Sequence, residues 1–148
     1  MFVVDTNILV YAADPDSPVQ DKCFDLVEGW TRQPSAWFIT WGICYEFMRL
    51  ATHRRVFRSP WSATQAWHFL EELLLSSGLT ILIPTERHAL VLAQILQEMP
   101  EISGNRMHDL HIAALMREHG IRRIYTRDTD FHRFTFLEPI DPLATPSS

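Results

Sequence analysis

Residues 2–11 read FVVDTNILVY, and the reading of this stretch decides the fold. Phe2, Val3 and Val4 are apolar and β-favouring, the signature of a short buried strand. Asp5 closes that strand just where the chain is about to enter the core. A buried charge without compensation is costly, so a carboxylate here is paired, hydrogen-bonded or bound to a metal. Thr6 and Asn7 behind it either cap the helix that follows or orient Asp5 as polar supports.

Working outward, strand and helix signals alternate along the chain. Ser17 and Pro18 suit the cap and first turn of a helix, with Cys23, Leu26, Val27 and Trp30 on one face. Residues 37–40 form a second strand, and Thr40 caps a helix that runs to about Thr52. Ser59-Pro60 opens another helix, with Ala63, Trp67, Leu70 and Leu74 at helical spacing; Ser77-Gly78 ends it. A strand over 79–83 and a helix from Thr85 follow, then a loop over 100–106. Residues 107–119 form a helix that is apolar nearly all round and therefore well buried. Residues 123–126 and 135–137 supply the last strands, and the segment from Glu138, rich in Pro and Ser, frays. The domain organisation is thus one domain over 1–138 and a tail over 139–148.

Composition narrows the class. The chain has 148 residues, 47% of them apolar, enough for one domain with a sizeable core. No run approaches the roughly 18 to 20 apolar residues of a membrane span, and Met1 to Val4 lacks the features of a secretory leader. Cys23 and Cys44 form neither a disulfide framework nor a metal-ligand spacing. Two core thiols in a reducing cytosol fit them, which makes the expected location cytoplasmic. The net charge of −5 carries no basic footprint of nucleic-acid binding. The charges are segregated, however: Arg49, Arg54, Arg55 and Arg58 crowd one stretch, and Lys22 is the only lysine.

Alternating strands and helices imply an α/β fold, a three-layer α/β/α arrangement around a mostly parallel sheet. In such sheets the ligand crevice lies at the carboxyl ends of the strands, and that rule locates the acids. Asp5 ends the first strand, and Asp128 and Asp130 follow a late one. Glu46 lies in the second turn of the helix leaving strand two. Asp109 sits in the first turn of its helix, where the dipole favours a carboxylate. No strand precedes that helix, so the loop over 100–106 must climb back to the same edge; about seven residues span roughly 23 Å. Acids gathered this closely need a compensating cation. A hard divalent ion, Mg²⁺ or Mn²⁺, binds through a few carboxylates and suits phosphodiester hydrolysis.

The pieces VVDTNILVYA, Glu46 in CYEFMRL, Asp109 in HDLHIAAL and TRDTDF stand in the order and spacing of the PIN-domain (PilT N-terminal) family. The chain resembles the VapC-type toxins of that family over nearly its whole length. The resemblance implies a five-stranded sheet and a Mg²⁺- or Mn²⁺-dependent endoribonuclease acting on cellular RNA of the tRNA or rRNA class. Carried over by position, Asp5, Asp109 and Asp128 are metal ligands, and Glu46 is a ligand or a water-positioning base. Asp130 helps to bind a second metal or holds the loop, while Thr6, Asn7 and Thr126 are polar supports. Arg54, Arg55, Arg58 and Arg127 are candidates for RNA phosphates. The resemblance further implies a homodimer silenced by a VapB-type antitoxin, for which the aromatic segment 56–69 is a candidate surface. Gly42 departs from a strong helix start, and His108 has no role in the pattern.

Three rival readings fit less well. A metal phosphohydrolase built on His108-Asp109, with His88 and Asp128, is all-helical and leaves Asp5 idle. A receiver domain needs a lysine after a late strand, and a dehalogenase-like phosphatase needs Asp-x-Asp after the first. A non-catalytic PIN-fold RNA- or protein-binding domain remains the alternative; the four acids favour the enzyme.

Overall fold

The computed structural model describes residues 1–144. Its elements run β1 (Phe2–Val4), α1 (Thr6–Ala13), α2 (Gln20–Arg32), β2 (Trp37–Thr40), α3 (Trp41–Ala51), α4 (Ala63–Leu74), β3 (Leu79–Leu82), α5 (His88–Glu98), α6 (Arg106–Glu118), β4 (Arg123–Tyr125), a 3₁₀ turn (Thr129–Arg133) and β5 (Glu138–Ile140). The five strands form one sheet in the order β3-β2-β1-β4-β5. Every pair is parallel. Val3 and Val4 point to opposite faces, and both are wholly buried. Both faces of the sheet are therefore covered, as parallel sheets require. Among the described residues no helix is long and apolar enough to cross a membrane.

Strand order reverses at β1: β2 and β3 lie to one side, β4 and β5 to the other. Such a reversal splays the connections leaving the two central strands and opens a crevice beyond their carboxyl ends. The Asp5 N–H still bonds the Tyr125 carbonyl at 3.0 Å, so β1 and β4 stay laced up to the lip of that crevice.

The elements start where the local chemistry allows. Thr40 caps α3 as expected, its hydroxyl accepting from the Ile43 N–H at 3.0 Å. The cap of α4 is Ser62 rather than Ser59, because Ser62 and Gln65 close a reciprocal capping box. Residues 17–19 make a turn ahead of α2, which begins at Gln20. Gly120, at φ +70°, ends α6 in the left-handed conformation open to glycine. Gly42 sits where α3 packs against His108 and His111 of α6. A methyl group there would meet His111 Nδ1 at 3.3 Å and His108 Cε1 at 3.7 Å, so the weak helix former is the consequence of tight packing.

The last strand is a correction. It spans Glu138–Ile140 rather than 135–137, and so runs into the segment expected to fray. Phe131, Phe134 and Leu137 are buried at intervals of three, the period of a 3₁₀ turn and not of a strand. Glu138 then enters the ladder by donating to the Arg122 carbonyl at 2.7 Å. Pro139, which lacks an N–H, is tolerated because β5 is an edge. The tail expected over 139–148 lies outside the described residues from 145 onward.

Candidate active site

The crevice is built from the ends of β1 and β4. Asp5 is the N-cap of α1: one carboxylate oxygen accepts from the Thr6 N–H at 2.7 Å and the other from the Thr126 hydroxyl at 2.7 Å. The Asn7 amide reaches both that second oxygen, at 3.4 Å, and Thr126 Oγ1, at 3.3 Å. Thr126 Oγ1 also accepts from the Asp128 N–H at 2.9 Å, and Asp128 in turn accepts from the Asp130 N–H at 2.9 Å. One hydrogen-bonded chain thus links the ends of both central strands to the 3₁₀ turn. Asp5 is 6% exposed, and burial pushes its carboxyl above the ordinary range. The bonds from Thr126 and Thr6 and the nearby His108 oppose that shift, while Asp128 adds to it.

Asp109 arrives from the first turn of α6, so the loop after α5 does bring this helix back to the carboxyl edge. Carboxylate oxygens of Asp109, Asp128 and Asp130 all lie within 4.8 Å of one another. The Asp109 carboxyl is pushed up to about 7, first by burial and then by Asp128, Asp5 and Asp130; Arg106 opposes them. Burial and the neighbouring acids together keep this carboxyl protonated toward neutrality, and a cation placed among the three would relieve the repulsion between them. Three oxygen donors and no nitrogen or sulfur fit a hard divalent ion.

The expected site residues are not all brought together. Asp130, expected as a support, lies with Asp109 and Asp128. Asp5 stands just behind them, its oxygens turned to Thr6, Asn7 and Thr126. Glu46 stands apart, gripped by Arg49 through two bonds of 2.6 and 3.0 Å. That grip, above all, holds its carboxyl below the usual range, and His108 contributes. The charge of His108 thus bears on both Asp5 and Glu46, and its Nε2 is buried without a hydrogen-bond partner among the described residues. Arg54, Arg55 and Arg58 follow the far end of α3, roughly 16 Å along the helix axis from Thr40. Arg127 is nearer: its N–H donates to Asn7 Oδ1 at 3.4 Å and its guanidinium pairs with Asp141 at 3.4 Å. In the aromatic segment, Phe57 is 1% exposed, and Trp61 and Phe69 pack on Phe47, so the interior absorbs most of those rings. Sequence reasoning missed Arg106, three residues before Asp109 and so one helical turn from it.

A five-stranded parallel sheet with acids converging at the reversal of strand order defines a PIN-type α/β domain. Residues 2–137 match the PIN domain family, and the chain belongs to it. Among its relatives is Ribonuclease VapC43 of Mycobacterium tuberculosis, 31% identical over 143 residues that cover 97% of this chain and 96% of that protein. The fold matches VapC20 of M. tuberculosis, a Sarcin-Ricin loop cleaving toxin, with a TM-score of 0.65 at 21% identity over 93% of this chain and 98% of that one. It also matches VapBC2 from Rickettsia felis, bound to a DNA fragment from its promoter, with a TM-score of 0.64 at 21% identity over 94% and 96%.

Proposed function

We propose that this chain is a divalent-metal-dependent endoribonuclease toxin that hydrolyses phosphodiester bonds of structured cellular RNA, of the tRNA or rRNA class, and is restrained by a VapB-type antitoxin. The observation that carries the reading is the trio Asp109, Asp128 and Asp130, with Asp5 hydrogen-bonded behind it. Its donor set favours Mg²⁺ or Mn²⁺. When bound, such an ion offsets the charge that grows on phosphate oxygens during hydrolysis.

The protein's own residues supply the rest. Thr126 and Thr6 fix the Asp5 carboxylate, so its charge is held at one place behind the trio. The backbone N–H of Asp130 fixes Asp128 in the same way. Burial shields Asp109 from bulk water, while Asp128 and Asp130 stay half-buried and open to an incoming phosphate. Glu46 is ionised and held by Arg49, and becomes the proton acceptor for the attacking water once RNA phosphate draws Arg49 away. The antitoxin, the homodimer and a cytoplasmic site of action rest on the VapC-type relatives, which belong to toxin–antitoxin systems.

The test incubates purified protein with total RNA and Mg²⁺ or Mn²⁺, beside EDTA and the Asp5→Asn and Asp109→Asn variants. Metal-dependent cleavage that both variants lose is the expected outcome. Cleavage that survives Asp109→Asn would sink this site.

A further inference from the structure

Two arginines outside the hydrogen-bonded chain, Arg106 and Arg133, share one cleft near the trio. The loop after α5 and the 3₁₀ turn enclose a cleft of about 260 Å³ lined by Arg106 and Arg133 together with Met99, Pro100, Ile102 and Glu101. Arg133 Nε is 3.9 Å from Asp130 Oδ1, so this lining residue of the cleft also reaches the trio. The charge of Arg106 is felt at Asp109, the opposite end of the same group. Neither guanidinium is used up. Arg106 takes part in no ion pair among the described residues, and the contact of Arg133 with Asp130 is long for a hydrogen bond. Glu98, which also lines the cleft, is neutralised by Arg117 through bonds of 2.6 and 3.0 Å. Glu101 then stands alone against two guanidinium groups.

We propose that this cleft is a phosphate subsite, in which Arg106 and Arg133 grip the RNA phosphate next to the one being cleaved. The inference rests on the ribonuclease reading for its substrate and deepens it by giving the strand a second point of attachment beside the acids. The reason is electrostatic. A phosphodiester backbone approaching Asp5, Asp109, Asp128 and Asp130 is repelled, and a bound ion answers only the charge it touches. A planar guanidinium fork matches two phosphate oxygens, and the Arg133 fork beside Asp130 brings a phosphate held in this cleft next to the acidic group. Such contacts orient the strand and carry no base specificity. They are made equally in ground and transition states, so their loss raises KM and leaves kcat.

The test measures binding apart from cleavage. A fluorescein-labelled single-stranded RNA is titrated with full-length Asp5→Asn protein in Mg²⁺, between about 50 and 200 mM KCl. The same titration is run with Arg106→Ala, Arg133→Ala and both Lys variants added to that background. Each Ala substitution is expected to weaken binding about tenfold, the scale of one charge-assisted hydrogen bond. Each also lowers the magnitude of the salt slope by about 0.7, the loss of one contact on a single strand, and Lys recovers much of the slope. Unchanged affinity and slope in the double Ala variant would overturn the proposal. So would weaker RNA binding with an unchanged slope and a matching loss of Mn²⁺ affinity, since the arginines would then serve only to hold the acids. If wild-type protein cleaves no RNA while the slopes fall as expected, the ribonuclease reading fails and the cleft stands as an RNA phosphate site with no scissile neighbour.

Discussion

Asp109 concentrates the energetics of the site in one side chain. An ordinary aspartate ionises near 3.8, whereas this one holds its proton to about 7. Between those values the folded chain binds a proton that the unfolded chain has lost, so metal-free stability falls as pH rises through the window. At about 1.4 kcal/mol per unit, the ceiling on that loss is roughly 4 kcal/mol. Asp109→Asn removes the titrating group. Its expected outcome is a metal-free protein more stable than wild type at pH 8, by some part of that ceiling, and inactive. Urea unfolding at pH 5 and pH 8 checks it, and equal destabilisation at both would contradict it. The same scale separates Asp130 from Asp5. The oxygens of Asp5 are committed to Thr6, Asn7 and Thr126, whereas Asp130 presents one to the trio. Asp130→Asn is therefore expected to weaken Mn²⁺ binding more than Asp5→Asn does, the latter acting through orientation at about 10- to 100-fold. Calorimetric titration ranks them, and the reverse order would make Asp5 the ligand. That distinction could not be read from sequence, because strand ends bring Asp5, Asp128 and Asp130 to the edge that the first turn of α6 also reaches with Asp109, and only side-chain bonding divides the four.

Among the elements, α6 is held at both ends, and only one end was legible. Its first turn carries Asp109, which the dipole argument found. Its last turn carries Glu118, whose side chain is fully buried and which no motif singled out. Glu118 accepts from the Thr85 N–H at 2.9 Å, the Thr85 hydroxyl at 2.6 Å and His88 Nδ1 at 2.5 Å, tying α6 to the segment that starts α5. Those partners are 30 and 33 residues away, a separation at which local pattern says nothing. Thr85 was expected to open the helix; Glu118 takes its N–H and hydroxyl instead, and α5 begins at His88. Burial pushes the Glu118 carboxyl up, but the bonds from Thr85 and His88 prevail and hold it below the ordinary 4.5. A depressed carboxyl stabilises the fold above pH 4.5 and loses that contribution as pH falls through the folded value. Glu118→Gln keeps the shape but loses the charge that binds His88. It is expected to cost about 1–3 kcal/mol at pH 7 and less at an acidic pH below the folded value, where wild type has lost the same charge. Unfolding curves at the two pH values test this, and an equal cost at both would show that the brace is steric.

For the whole molecule, the reversal of strand order at β1 explains why so much of the site could be read and what a cation must do for it. Local order put Asp5, Asp128 and Asp130 at strand ends, and parallel strands put those ends on one edge. The place of β5 was misread because the short β-favouring run Thr135, Phe136 and Leu137 precedes Pro139, whereas the ladder starts only at Glu138. The pairing of Arg106 with Arg133 was hidden because it depends on how the loop after α5 folds back. The same convergence makes stability depend jointly on metal and pH. An ion that binds only the folded chain stabilises it in proportion to its affinity, and it must displace the proton that Asp109 holds to about 7. Saturating Mn²⁺ or Mg²⁺ is therefore expected to raise Tm by several degrees at pH 8, with the gain shrinking as pH falls through 7 and nearly gone by pH 5. The metal-free protein follows the opposite course, gaining stability toward pH 5, so the two melting curves converge on acidification. Asp109→Asn should flatten both trends, since it removes the proton over which metal and acid compete. Thermal melts of wild type and Asp109→Asn, with and without Mn²⁺, at pH 5, 7 and 8 decide the matter. A metal-dependent gain that stayed constant across that range would mean that the ion binds away from Asp109, and that the trio is held together by something else.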